Sequence, residues 1–180
     1  HGCGGVGLSA VMIGVALGLR VVAVDVNPDA LTSAARLGAE QTVRVGAGAE
    51  DGAGVGAEVV ERTDGGAHLS IDAVGDTRSA LASVAGLRVR GRHVQVGLLL
   101  ADQAVLPLPM GPVIAKELQI LGAHGLAAAD YPGLMALVAD GRVDPTVLVG
   151  RVIGLDQAGS ALAAMSTSSA GVGMTVIRVR

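Results

Sequence analysis

The sequence predicts an α/β protein built as a doubly wound parallel sheet, and three observations carry that prediction. Apolar, β-branched runs of strand length alternate with helical stretches as far as residue 125. Those runs are apolar at consecutive rather than alternate positions, as strands are when helices cover both faces of their sheet. The opening stretch Gly2-Cys3-Gly4-Gly5-Val6-Gly7 has the spacing G-x-G-x-x-G, and a strand ending in the acid Asp25 follows it, 18 residues beyond Gly7.

Each element has a local reason. The first glycine of the opening turn permits a tight exit from a strand, the second lets main chain touch a pyrophosphate, and the third lets the next helix pack closely on the sheet. That helix, Val6 to Leu17, offers unpaired N–H groups and the positive end of its dipole to an anion. Arg20 to Asp25 is a buried strand, after which Asn27-Pro28 caps and opens a helix that Gly38 closes. Thr42 to Val45 is a short strand, and the Gly/Ala-rich loop from Gly46 to Gly56 leads into a helix ending before Asp64-Gly65-Gly66. His68 to Gly75 is a strand running into a glycine turn, with Asp76 or Thr77 capping a helix to Leu87. Arg90-Gly91 turns the chain into the strand His93 to Val96, which ends at Gly97. Pro107, Pro109 and Pro112 mark a loop, and Leu118 to Ala123 is a further strand, closing at His124-Gly125.

Beyond that point the pattern changes to a helix over 130–140, a strand Arg151 to Leu155, a helix Asp156 to Met165 and a strand Met174 to Val179. The expectation is a dinucleotide-binding domain over 1–125 and a strand-helix-strand segment of another domain over 126–180. In a sheet of this type a central strand precedes the glycine turn, and here the sequence opens at the turn itself. The sheet is therefore expected to be N-terminally incomplete and the chain to be part of a longer polypeptide, because two central strand edges left unpaired cost free energy.

Composition narrows the function. Of 180 residues, 51% are hydrophobic and 16% charged, so some apolar surface is expected to meet other protein. A net charge of −3 and a single aromatic residue, Tyr131, give neither a basic stripe nor a stacking platform for nucleic acid. The longest apolar run is broken by Ser9, Gly14 and Gly18 and has no basic flank, which marks a core helix rather than a membrane span or signal peptide. One cysteine, Cys3, excludes an internal disulfide and a Cys-rich zinc site, and fits a reducing, cytoplasmic setting.

Ligands of open α/β sheets lie beyond the carboxyl ends of the strands. The glycine turn, Asp25, Val74-Gly75, Val96-Gly97 and Ala123-His124 all fall there. A carboxylate at Asp25 suits the hydroxyl pair of a ribose and repels a 2′-phosphate, favouring NAD over NADP. Asp72 is read as the organiser of its strand-end turn, Cys3 as structural, and the four histidines as too scattered to form a metal site.

These residues resemble the medium-chain dehydrogenase/reductase superfamily, and within it the zinc-dependent alcohol dehydrogenase branch. The matching pieces are Gly2 to Ser9, Val24-Asp25-Val26-Asn27, Gly65-Gly66 with Ile71 to Gly75, Gly91-Arg92 leading to Val96-Gly97, Leu118 to Gly125, and Gly173 to Ile177. The resemblance implies a Rossmann sheet and a cofactor site in which Gly2, Gly4, Gly5, Val6 and Gly7 line the pyrophosphate. It also implies Asp25 at the adenosine ribose, Val74 near adenine, and the main chain at Val96, Leu98 and Ala123 toward the nicotinamide. A catalytic zinc is implied too, on ligands outside this chain, as are an alcohol or carbonyl substrate and a homo-oligomer through the edge strand 118–123. Two departures stand out: Ala30 and Met174 occupy positions where some members carry a basic residue near the phosphates. A zinc-free quinone or enoyl reductase of the same superfamily, and a non-catalytic nucleotide-sensing module, are the alternatives.

Overall fold

The computed structural model describes residues 1–46, 52–165 and 171–179. In chain order they form α1 (Gly5–Ala16), β1 (Val22–Asp25), α2 (Pro28–Arg36), β2 (Gln41–Arg44), α3 (Ala53–Arg62), β3 (Ala67–Asp72), α4 (Thr77–Ala85), β4 (Leu87–Gln95), α5 (Met110–Ala115), β5 (Gln119–Gly122), α6 (Tyr131–Ala139), β6 (Val149–Gly154), α7 (Ala158–Ala164) and β7 (Met174–Arg178). Every strand pairing among the described residues is parallel: β1 with β2, β4 between β3 and β5, and β6 with β7.

Two of the helices, α2 and α4, begin where a side chain satisfies a free N–H group. Asn27 accepts from the Asp29 N–H, with Pro28 at the first helical position, and Asp76 accepts from the Ser79 N–H at 2.8 Å, which selects Asp76 over Thr77 as the cap of α4. Both sheet faces are covered. Ala23 packs with Leu8, Val11, Met12, Leu31 and Ala34 of α1 and α2. The neighbouring Val24 packs instead with Val55, Val59 and Ala82 of α3 and α4. This alternation within a run apolar on both faces is what a doubly wound sheet requires.

α1 is apolar all round because it is covered from two directions. Leu137, Val138, Val143, Leu148 and Val172, all from the chain beyond residue 125, pack on the same cluster as the sheet side of the helix. Burial of a single leucine such as Leu8, 1% exposed, contributes about 2 kcal/mol.

β1 and β3 are not paired with each other; His1 and Gly2 lie between them. The Gly2 N–H donates to the Val24 carbonyl at 2.8 Å, the Ala73 N–H donates to the His1 carbonyl at 2.9 Å, and the His1 nitrogen donates to the Ile71 carbonyl at 2.8 Å. Behind these two residues an apolar cavity of 690 Å³ runs between β1 and β3, lined by Val22, Val24, Leu69, Ile71, Val11 and Val59 among others.

Four expectations need correction. Arg90-Gly91 does not precede a strand but lies inside β4, which starts at Leu87: Arg90 takes a left-handed φ of 59°, its N–H donates to the Lys116 carbonyl at 2.7 Å, and the pairing with β3 shifts register there. The chain absorbs the bend as a bulge and continues the strand. α4 accordingly stops at Ala85, leaving Leu87 as the first, fully buried residue of β4. The proline-rich stretch contains a helix, α5, because Pro112 falls in its first turn, where a missing N–H removes no helical hydrogen bond. The stretch Leu155–Gln157 is a tight 3-10 turn ahead of α7 rather than its first turn. Part of the loop expected over 46–56 lies outside the described residues.

Candidate functional site

The opening turn is shaped by two glycines. Gly2 has φ +84°, and a Cβ on it would lie 2.6 Å from Val74 Cγ2; a Cβ on Gly7 would lie 1.6 Å from the Gly2 carbonyl oxygen. Nothing larger than hydrogen fits at Gly7, so the start of α1 is drawn onto the turn. In front of it there is room: no atom lies within 4 Å of where a Cβ on Gly4 would be. Gly4 caps α1 with no side-chain partner and no acid in the first turn, leaving the helix start with its positive dipole end and no side-chain cap. This is a cradle for an anion, with main-chain amides as donors.

Asp25 stands at the edge of that cradle. Its Oδ2 accepts the Cys3 N–H at 2.5 Å and its Oδ1 accepts the Asn27 N–H at 2.7 Å. The carboxylate thus bridges the glycine turn and the β1–α2 turn, each oxygen having taken one donor of about two it can accept. Two acceptor positions are left for a pair of hydroxyls. Cys3 itself points away: its thiol contacts the Val24 carbonyl at 3.8 Å, and burial, with Asp25 adding to it, pushes the thiol up to about 11. The helix start does not activate it, which fits its structural reading.

The other expected positions lie at the ends of β3, β4 and β5. Val74, half exposed, borders Gly2; the Val96 and Gly97 N–H groups donate to the Asp72 carbonyl at 3.0 and 2.8 Å; Leu98 meets Gly75; and the Ala123 N–H donates to the Gln95 carbonyl at 3.0 Å. Val6 is exposed on the first turn of α1. Gly2, Gly4, Gly5, Gly7, Asp25 and Val74 form one group and Val96, Leu98 and Ala123 a second, farther along the strand ends. β7 adds a residue from the tail: a Cβ on Gly5 would lie 3.0 Å from Met174 Cγ. A thioether therefore sits beside the anion cradle. Among the described residues no three His, Cys, Asp or Glu side chains come together to hold a metal ion.

Sequence reading missed one polar cluster. Asp72 and His93 are fully buried and joined through Gln95, with Ser70, Ser79 and Ser83 around them. The signal was present: polar residues at 70 and 72 and at 93 and 95 are two apart within apolar strands, so each pair faces one way, and the register sets Ser70 beside His93 and Asp72 beside Gln95.

A family model described as zinc-binding dehydrogenase matches residues 5–140. The chain is 30% identical over 161 residues to an NAD-dependent alcohol dehydrogenase of Sulfurisphaera tokodaii, covering 88% of this chain and 44% of that protein. It is 26% identical over 160 residues to a sorbitol dehydrogenase of Arabidopsis thaliana, covering 87% and 42%. The crystal structure of an alcohol dehydrogenase from Aeropyrum pernix superposes with a TM-score of 0.82 at 25% identity, over 99% of this chain and 48% of that one. The chain spans less than half the length of these curated relatives.

Proposed function

The chain belongs to the zinc-binding dehydrogenase family, and from that premise we propose that it is the cofactor-binding part of an NAD-dependent dehydrogenase acting on an alcohol or polyol. The observation that carries this reading is the pairing of an open glycine turn with a carboxylate bound to its own main chain at the Cys3 N–H. Gly2, Gly4, Gly5, Val6 and Gly7 take the pyrophosphate on main-chain amides, and Asp25 grips the adenosine ribose. Val74 packs near adenine, while the main chain at Val96, Leu98 and Ala123 meets the nicotinamide. Bound there, NAD supplies the hydride acceptor that converts an alcohol to its carbonyl compound. The chain's own task is to fix the cofactor and, by the negative charge of Asp25, to turn away a 2′-phosphate.

On this reading residues 1–125 form the dinucleotide-binding domain, and 126–180, with the parallel pair β6 and β7, return to a catalytic domain. The alcohol relatives and the sorbitol relative support an alcohol or polyol as substrate. Zinc, implied by the family, has its ligands elsewhere in the enzyme. The exposed edge β5, with Ile120 39% and Leu121 43% exposed on its two faces, supports a homo-oligomer formed edge to edge; a monomer in sedimentation overturns that part. No described helix is long and apolar enough to cross a membrane, and a cytoplasmic setting completes the reading. The deciding experiment is calorimetric titration of the natural-length protein with NAD and NADP, joined to an assay of NAD reduction by alcohols and polyols. NAD binding and reduction are expected; binding of neither cofactor overturns the function.

A further inference from the structure

The two turns that end β3 and β4 are in contact. A Cβ on Gly97 would lie 2.2 Å from the Gly75 nitrogen, and one on Gly75, where φ is +85°, would lie 2.6 Å from the Leu98 carbonyl oxygen. Contact between two strand-end turns needs something to fix it, and Asp72 bonds to both. Its Oδ1 accepts the Val74 N–H at 3.0 Å and the Ser79 hydroxyl at 2.7 Å; its Oδ2 accepts the Gly75 N–H at 3.3 Å and the Gln95 side-chain amide at 2.6 Å. Its main-chain carbonyl accepts the Val96 and Gly97 N–H groups.

Gln95 closes the loop. Its Nε2 donates both to Asp72 and to the Gly97 carbonyl, at 2.8 Å, so its Oε1 must face the other way, where His93 Nε2 lies at 3.2 Å. His93 therefore carries its proton on Nε2, and its Nδ1 accepts from Ser70 and Ser83, each at 3.1 Å. Every member of this buried chain has a partner, and its orientation is dictated link by link.

We propose that Asp72 and Gln95 are a positioning pair for the cofactor: the buried carboxylate and the amide bound to it hold the turn at Val74-Gly75 and the turn at Gly97-Leu98 in the relation that the nicotinamide end requires. Neither side chain touches the cofactor. The inference rests on the function proposed above and adds to it the residues that set where the redox end lies.

The test compares NAD with ADP-ribose, which shares every part of the cofactor except the nicotinamide. In the natural-length enzyme, Gln95→Met keeps the side-chain volume and removes both amide donations. NAD affinity is expected to fall about tenfold while ADP-ribose affinity changes less than twofold, since the Gly97 turn bonded by Gln95 lies at the nicotinamide end while the Val74 turn near adenine keeps its own bonds to Asp72. Equal loss for both ligands marks a merely structural role and overturns the proposal, as does no loss for either. Should Gln95→Met fail to fold, Gln95→Asn, which keeps a buried amide but shortens its reach, reads the same ratio against the same criterion. If the unmutated enzyme binds neither ligand, it is the cofactor reading that falls.

Discussion

Asp25 and Asp72 each end a parallel strand, β1 and β3, and they are built for opposite work. Asp25 is partly exposed, and its two oxygens take one main-chain N–H each. Asp72 is fully buried, and its carboxylate takes four donors. A carboxylate whose acceptor positions are all filled by protein has none left for a ligand, whereas one filled by half and open to solvent does. The same residue type at the same strand position thus divides into a gripping role and a holding role according to how many protein donors surround it.

The largest expected effect separates the two by stability. Asp72→Ala leaves four part-buried donors without their acceptor and should lower the unfolding free energy by about 3 kcal/mol or more, while Asp25→Ala frees two part-buried amides and should lower it by about 1 kcal/mol. Urea unfolding of both variants measures this, and similar losses would break the contrast. Next comes cofactor choice. Asp25→Gly should erode the preference for NAD over NADP by about tenfold, or about 1.4 kcal/mol, read from the two dissociation constants.

A smaller effect follows from His93, which is joined to Asp72 through Gln95. Burial holds its imidazole below the ordinary 6.5, outweighing the Gln95 hydrogen bond and the Asp72 charge, which raise it. Below pH 6.5 the unfolded chain takes up a proton that the folded one refuses. The stability due to this group is therefore fully present above about pH 6.5 and is lost as the pH falls toward the depressed folded value. Denaturation followed between pH 7 and 5 should show this decline, and His93→Gln should flatten it. The smallest effect is at the cradle: Met174→Arg places a cation beside Gly5 and should tighten NAD about threefold, the worth of one exposed ion pair, with loss of the gain at high salt.

Much of the gripping side was legible in the sequence, because its signals are local. The glycine spacing, the acid 18 residues on, and the caps Asn27 and Asp76 each act over a few residues, and the structure puts the carboxylate of Asp25 on the turn that the spacing predicts. The holding side was legible only in outline. Asp72 was recognisable as a turn organiser, but its link to Gln95 depends on the register between β3 and β4, which a one-residue shift would undo. The bulge at Arg90 and the helix α5 were hidden for a related reason: Arg90-Gly91 and the prolines are ordinary turn signals whose meaning changed once Lys116 and a first-turn position supplied partners. Met174 beside Gly5 joins the tail to the turn over more than 160 residues of sequence, a proximity only the fold creates.

The strand ends at the proposed site belong to strands that are not all paired with one another: Asp25 ends β1, which pairs with neither β3 nor β4 among the described residues, while Val74 and Gly75 follow β3 and Gly97 follows β4. The proposed dinucleotide spans them, with its ribose at Asp25 and its redox ring near Gly97. A bridging molecule of that kind acts as a clasp: at a hundred times its dissociation constant it adds about 2.7 kcal/mol against unfolding. Cofactor supply would then govern how long the protein survives heat or proteases, as well as how fast it turns over.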